Sequence, residues 1–267
     1  MFGNRGQSGR SGYFIAEAGF CSTLWSVRFF NIFTDKLMPY EQVPFNDQVG
    51  FGAGVEFVDN PEPRCPCVLL LDTSVSMRSK AIDSLNEGIR VFRDELSADA
   101  MASKRVEIAI IGFGPVKTIT DFQTADVFQV PTLQTTGDTP MGAAIETGLS
   151  LLDQRKQAYR ANGVSFYRPW VFLITDGGPT DLWQEAAAKV RAGEAANHFS
   201  FFAVGVEGAR MDILSQISAR EPLKLKELRF RDLFIWLSNS LGSVSRSSLG
   251  DKIELQNPVT PQGWASV

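Results

Sequence analysis

One histidine, His198, and three cysteines, Cys21, Cys65 and Cys67, are all that 267 residues supply in imidazole and thiol. A Ser-His-Asp or Cys-His hydrolase would have to rest on His198 alone, and a His-rich zinc site is excluded. So low and odd a cysteine count is not a disulfide framework and suits a reducing compartment, so the expected location is cytoplasmic. No run approaches the ~18 consecutive apolar residues of a membrane span. Basic residues are not in excess: 26 Lys and Arg stand against 30 Asp and Glu, a formal net charge of −4. Nucleic acid is therefore not the expected partner. The chain has no Walker loop, and its one G-x-G after a strand, Gly112 and Gly114, runs into Pro115. That spacing reads as a hairpin turn and not as a dinucleotide fingerprint.

With 44% hydrophobic residues, the chain has enough apolar surface to build a core without disulfides or a structural metal. Residues 1–40 read as a variable N-terminal extension. Its Gly-, Ser- and Arg-rich start leads into FIAEAGFCSTLWSVRFFNIF, where Glu17 and Arg28 break any clean leader-like apolar run. Met38 stands as an alternative start, and a short helix packed on the domain is the plain structural expectation. Residues 41–63 read as a loop-rich lead-in, with Pro44, Pro61 and Pro63 and an edge strand around Val55–Val58.

From Cys67 a regular alternation begins. CVLLLD, VEIAIIGF, WVFLITD and FSFFAVGV are short apolar runs of the kind that form buried parallel strands. Between them lie helical stripes. Ile82, Leu85, Ile89, Phe92 and Leu96 recur at spacings of 3, 4, 3 and 4, one face of a helix. Met141, Ile145, Gly148, Leu149 and Leu152 form a second stripe, opened by Pro140 with Thr139 as the expected N-cap. Residues 181–192 and MDILSQIS (211–218) read as further helices, and Leu233, Trp236, Leu237, Leu241 and Val244 mark the last one. VKTITDF (116–122) reads as a hairpin strand and LKLKEL (223–228) as a weaker strand; residues 247–267 read as an irregular tail. Strands alternating with helices predict an α/β domain with a mostly parallel sheet and helices on both faces.

In such a sheet, ligands bind at the carboxyl ends of the strands, where the strand order reverses. Two strands here end in an acid, Asp72 and Asp176. Asp72 opens D-x-S-x-S with Ser74 and Ser76, Asp176 lies in TDGG, and Thr139 lies between them in TTGDTP. Two carboxylates and three hydroxyls make an all-oxygen set that suits a hard divalent cation, Mg²⁺ or Mn²⁺. Hydroxyls add no charge, so the ion would stay electrophilic, with a position open to a carboxylate from another molecule.

DTSVSM, TTGDTPMG and FLITDGGPTDLW, in this order, resemble the three segments of the metal-ion-dependent adhesion site (MIDAS) of von Willebrand factor A (VWA) domains. The resemblance covers roughly residues 64–246. PRCPCVLLLDTSVSM, TDGGPTD and DLFIWLSNSLGSVSRS are most similar to the bacterial tellurium-resistance, TerY/YegL-like branch. The resemblance implies a three-layer Rossmann-like fold with a six-stranded sheet, one strand antiparallel. It implies Asp72, Ser74 and Ser76 as direct metal ligands, with Thr139 and Asp176 completing the shells. It further implies a non-enzymatic, Mg²⁺-dependent protein-binding module in a bacterial stress response, whose partner supplies an Asp or Glu and is kinase- or phosphatase-like. Val75 stands where that branch commonly has Gly, and a left-handed residue there would force a reshaped loop.

Other readings use the same residues. A VWA subunit regulating an AAA+ ATPase, as in chelatase-like systems, keeps the fold and changes the partner. A haloacid-dehalogenase-like phosphatase would use Asp72 as nucleophile but needs a second Asp where this chain has Ser74. Cys65, Cys67 and His198 read as structural residues. Lys224, Lys226, Arg229 and Arg231 read as a solvated strand edge, with a docking patch for an acidic partner as the alternative.

Overall fold

The computed structural model describes residues 14–17 and 57–266. Its strands are β1 (Phe14–Glu17), β2 (Cys65–Asp72), β3 (Val106–Phe113), β4 (Val116–Thr124), β5 (Trp170–Thr175), β6 (Ser200–Gly205), β7 (Leu223–Leu225), β8 (Lys252–Leu255) and β9 (Ala265–Ser266). Its helices are α1 (Lys80–Ala98), α2 (Ala102–Arg105), α3 (Met141–Ala161), α4 (Gln184–Ala195), α5 (Met211–Ile217) and α6 (Phe230–Arg246). The main sheet has seven strands in the order β4-β3-β2-β5-β6-β7-β9. Strands β3, β2, β5, β6 and β7 run parallel, and β4 and β9 pair antiparallel at the two edges.

The apolar runs sit in the middle because every residue of β2, β3, β5 and β6 is buried. Alternate residues face opposite layers. On one face, Leu69 and Leu71 pack under α1 and α6, through Leu85, Ile89, Phe92, Leu233, Leu237 and Leu241. On the other, Val68 and Leu70 pack under α3, α4 and α5, through Met141, Ile145, Val190 and Leu214. The predicted helical stripes are therefore the buried faces. Gly148, placed in one of them, lets α3 settle onto the sheet: a Cβ there would stand 2.6 Å from Leu70 Cδ2.

The chain runs from β2 outward through β3 to β4, then returns to β5 on the other side of β2. Strand order thus reverses between β2 and β5, and a crevice opens where both strands end. The Gly114-Pro115 turn joins β3 to β4 as the sequence pattern predicts.

The edges depart from expectation. The tail is irregular except for two short strands: β9 adds a seventh strand beside β7 with the pairs Lys224↔Ser266 and Leu225↔Ala265, and β8 pairs antiparallel with β1. Lys226 and Arg229 are not a solvated edge but bind the tail. Lys226 Nζ donates to the carbonyls of Thr260 (3.2 Å) and Gly263 (3.0 Å), and Arg229 to Gly263 (3.0 Å). Trp236 Nε1 donates to the Gln256 carbonyl at 2.7 Å, and its ring meets Trp264 edge-on. Tail positions were unreadable because their pattern is set by contacts with α6 and β7 and not by local periodicity. In the lead-in, residues 57–59 form a helical turn, not an edge strand; Val55 and Glu56 lie outside the described residues. So does the extension, Cys21 included, except for β1, which is a strand where a short helix was expected.

Opposite the crevice, the amino-terminal ends of β2 and β3 are tied by Glu107, which is fully buried. Its carboxylate accepts from Arg64 Nε at 2.8 Å, from Arg155 Nε and Nη2 at 2.8 Å each, and from the Tyr159 hydroxyl. Arg64 also donates to the carbonyls of Asn60 and Glu62, fixing the end of the lead-in. A buried acid with two guanidinium partners repays its desolvation through these bonds.

Candidate metal centre

Asp72 is the last residue of β2 and is fully buried. Its Oδ1 accepts the backbone N–H of Ser74 at 2.8 Å, and its Oδ2 accepts the Thr175 hydroxyl at 2.5 Å. Thr175 ends the neighbouring strand β5, and Asp176 follows it. From the β2–α1 loop, Ser76 donates to Asp176 Oδ1 at 2.6 Å, while the Ser74 and Ser76 hydroxyl oxygens stand 2.8 Å apart. Four of the five predicted residues are thus joined by hydrogen bonds in one crevice, although Ser76 and Asp176 are 100 positions apart.

Thr139 arrives on the loop before α3. A Cβ on Gly177 would stand 3.6 Å from Thr139 Oγ1, so this hydroxyl faces the loop that carries Asp176. Two bonds pin it there: Thr139 N–H donates to Thr180 Oγ1 at 3.2 Å, and Thr180 N–H to the Thr139 carbonyl at 3.0 Å. Thr139 is not the cap of α3. The helix begins at Met141, Pro140 holds the capping position, and neither supplies a side-chain cap. The cap comes from Asp181 across the crevice, whose carboxylate accepts the N–H groups of Gly142 (2.9 Å) and Ala143 (2.8 Å). Capping by another loop relieves the Thr139 hydroxyl of that task.

The loops are packed backbone to backbone. Thr136 N–H donates to the Thr73 carbonyl at 2.8 Å and Val75 N–H to that of Gly137 at 3.2 Å. Gly114 lies between them: a Cβ there would come within 2.5 Å of both the Thr136 and Thr73 carbonyl oxygens. Gly137 has φ +66°, which glycine adopts without strain. Val75 does not distort the site. It is not among the positive-φ residues and opens a short 3₁₀ turn, so this loop needs no left-handed residue there. The left-handed residue is Ser79 (φ 65°), where the loop enters α1.

Electrostatically the crevice is unbalanced. Burial pushes the Asp72 carboxyl above its ordinary pKa; bonds from Ser74 and Thr175 oppose this, and the charge of Asp176 adds to it. Burial raises Asp176 as well, against the Ser76 hydroxyl. No Lys or Arg forms an ion pair with either acid among the described residues; Arg210, which lines Gly178, pairs with Asp212 at 2.7 Å. Two desolvated acids with hydroxyl neighbours and no basic partner are the donor chemistry of a hard divalent cation. Among the described residues no three His, Cys, Asp or Glu side chains gather into a metal site elsewhere.

The remaining candidates stand apart. Cys65 and Cys67 are buried in β2, and burial pushes the Cys65 thiol up to about 12 and Cys67 well above its ordinary value, so both are inert at neutral pH. His198 is exposed in the turn before β6, at the opposite end of the sheet. Sequence reasoning missed Thr175 and Asp181. The polar Thr175 closing the apolar run WVFLIT was the available signal for the first; nothing local marked Asp181 as a cap for a helix about 40 residues earlier.

The sequence matches the von Willebrand factor type A domain over residues 67–231. The chain belongs to this family. Metal-dependent interaction modules are known in this family. No curated protein matches the sequence. Among solved structures, the pilus adhesin SpaC of Lactobacillus rhamnosus GG in its open conformation is similar with a TM-score of 0.57 and 12% identity, over 68% of this chain and 30% of that one. The vWF domain of the type V pili tip protein Mfa5 from Porphyromonas gingivalis gives 0.52 and 10% identity, over 70% of this chain and 98% of that one. Proximal thread matrix protein 1 of the mussel byssus gives 0.48 and 16% identity, over 67% of this chain and 48% of that one. The VWA chain therefore spans less than half the length of SpaC and of the byssus protein. At these identities the likeness is one of fold.

Proposed function

We propose that this VWA domain is a non-enzymatic, Mg²⁺-dependent protein-binding module, with Asp72, Ser74 and Ser76 as direct ligands and Thr139 and Asp176 completing the site; Mn²⁺ suits the same donors. The observation that carries the reading is the Ser74–Ser76–Asp176 chain of contacts at 2.8 and 2.6 Å beside the buried Asp72. When bound, the ion supplies an electrophilic position for a carboxylate of a partner protein. The chain's own residues do the rest. Thr175 and the Ser74 N–H fix the rotamer of Asp72, Asp181 and Thr180 hold the Thr139 loop, and the packed backbones keep the donors close before any ligand arrives. One charge-assisted contact contributes only ~1.5–3 kcal/mol, so surrounding surface must add to the affinity.

Both Asp72 oxygens accept hydrogen bonds inside a buried crevice, and Ser74 stands where a phosphatase would need its acid, which supports binding over hydrolysis. Similarity of DTSVSM, TDGGPTD and the α6 sequence to the TerY/YegL-like branch supports a cytoplasmic, bacterial tellurium-resistance or stress-response setting with kinase- or phosphatase-like partners. The test is recovery of partner proteins by wild type and Asp72→Ala, each in Mg²⁺ and in EDTA. Recovery by wild type in Mg²⁺ alone is expected. Equal recovery in all four conditions would remove the metal from the function.

A further inference from the structure

Five large hydrophobic side chains are exposed among the described residues: Val58, Val75, Met101, Val127 and Leu182. Val58, Met101 and Val127 lie toward the amino-terminal ends of β2 and β3. Val75 and Leu182 lie at the opposite end, on the two loops that flank the Gly137–Gly142 segment. Val75 N–H binds the Gly137 carbonyl on one side. On the other, a Cβ on Gly142 would stand 2.3 Å from the Leu182 carbonyl oxygen. The crevice holding Ser76, Thr139 and Asp176 is therefore bordered by an aliphatic side chain on each flank, 44% and 89% exposed.

A single exposed leucine needs no explanation. This one is displayed from a loop that is already fixed, since Thr180 is bonded to Thr139 and Asp181 to the first turn of α3. Its contact with a partner would cost little further ordering. Arg78 and Lys80, two and four positions after Ser76, are exposed, as is Asp138 beside Thr139, so this rim carries charges of both signs and apolar surface together around a site built for a cation. Resting on the metal-binding reading above, we infer that the edge takes a partner segment of one chemistry: an Asp or Glu for the ion, with a bulky aliphatic or aromatic residue beside it that lies against Leu182 and Val75.

The test is selection from a phage-displayed library of random linear peptides on the full chain in Mg²⁺, repeated in EDTA and with Leu182→Ser and Val75→Ser. Both substitutions are at exposed positions outside the donor set. Wild type is expected to enrich peptides with Asp or Glu next to Leu, Ile, Phe or Trp, and only in Mg²⁺. Leu182→Ser should still enrich acidic peptides in Mg²⁺, lose the apolar preference, and bind a wild-type-selected peptide about tenfold more weakly, the scale of one buried aliphatic side chain. Val75→Ser should act in the same direction with a smaller effect. Mg²⁺-dependent enrichment of acidic peptides without an apolar neighbour, or unchanged peptide affinity in Leu182→Ser, overturns the inference and leaves the metal reading standing. Equal enrichment in EDTA overturns the metal reading, and the inference with it. A library that yields no enriched peptide also overturns the inference.

Discussion

Thr175 Oγ1 donates to Asp72 Oδ2 at 2.5 Å, so the last residue of one central strand holds the carboxylate that ends its neighbour. The same oxygen accepts the Gly177 N–H at 3.2 Å, which ties the Asp176 loop to that bond. Thr175→Val keeps the shape and removes both bonds. Mg²⁺ affinity should fall about tenfold or more, as for other residues that orient a ligand, with the fold retained. Titration calorimetry alongside circular dichroism checks both.

Asp72 and Asp176 have raised proton affinity in the fold. A carboxyl whose folded pKa exceeds its unfolded value binds its proton more tightly when folded. Its contribution to stability therefore grows as pH falls from 7 toward the unfolded value of about 4, and is lost as pH rises. Metal affinity should run the other way, since protons compete for the same oxygens. Asp72→Asn should raise the EDTA-treated protein's stability at pH 7 by on the order of 1 kcal/mol and flatten its dependence over this window, while abolishing Mg²⁺ binding. Thermal melts in EDTA at several pH values, compared between wild type and the variant, measure the difference. Asp99 and Asp212, held below the ordinary carboxylate range by hydrogen bonds, contribute the opposite trend to both proteins and cancel in it.

Asp181 caps α3 from outside the helix. Asp181→Ala should cost about 1 kcal/mol in urea denaturation, the usual loss for a removed cap. It should also weaken Mg²⁺ binding, because the Thr139 loop loses one of its two ties to the Asp176 side. Asp181→Asn, which keeps a side-chain oxygen, should recover much of both.

Glu107 offers the contrasting case. Glu107→Ala leaves Arg64 and Arg155 without their shared acid in the interior and should cost ~3–5 kcal/mol. It lies at the far end of β3 from the crevice, so Mg²⁺ affinity of the folded fraction should stay unchanged. Denaturation and calorimetry on the same sample separate the two.

How far the sequence foretold this molecule follows from what each signal depends on. The central strands and the stripes of α1, α3 and α6 were legible because burial on two faces or one writes itself into local periodicity. Asp72, Ser74, Ser76, Thr139 and Asp176 were legible as motif fragments, and the strand-order reversal between β2 and β5 explains why they meet. What failed was non-local. Thr139 has the residue type of a cap, yet Asp181 caps α3 from a loop about 40 residues later. Lys226 and Arg229 look like a solvated edge until the tail is seen lying on them. The φ of Val75 cannot be inferred from its neighbours, and the left-handed position of this loop is Ser79.

The central claim is that oxygens from three distant segments bind one divalent ion. Calorimetric titration of the full chain with MgCl₂, in wild type, Ser74→Ala and Asp176→Ala, tests it most directly. Single-site binding by wild type, weakened at least about tenfold in each variant, is the predicted result. No saturable binding by wild type, or the same affinity in all three proteins, would contradict it.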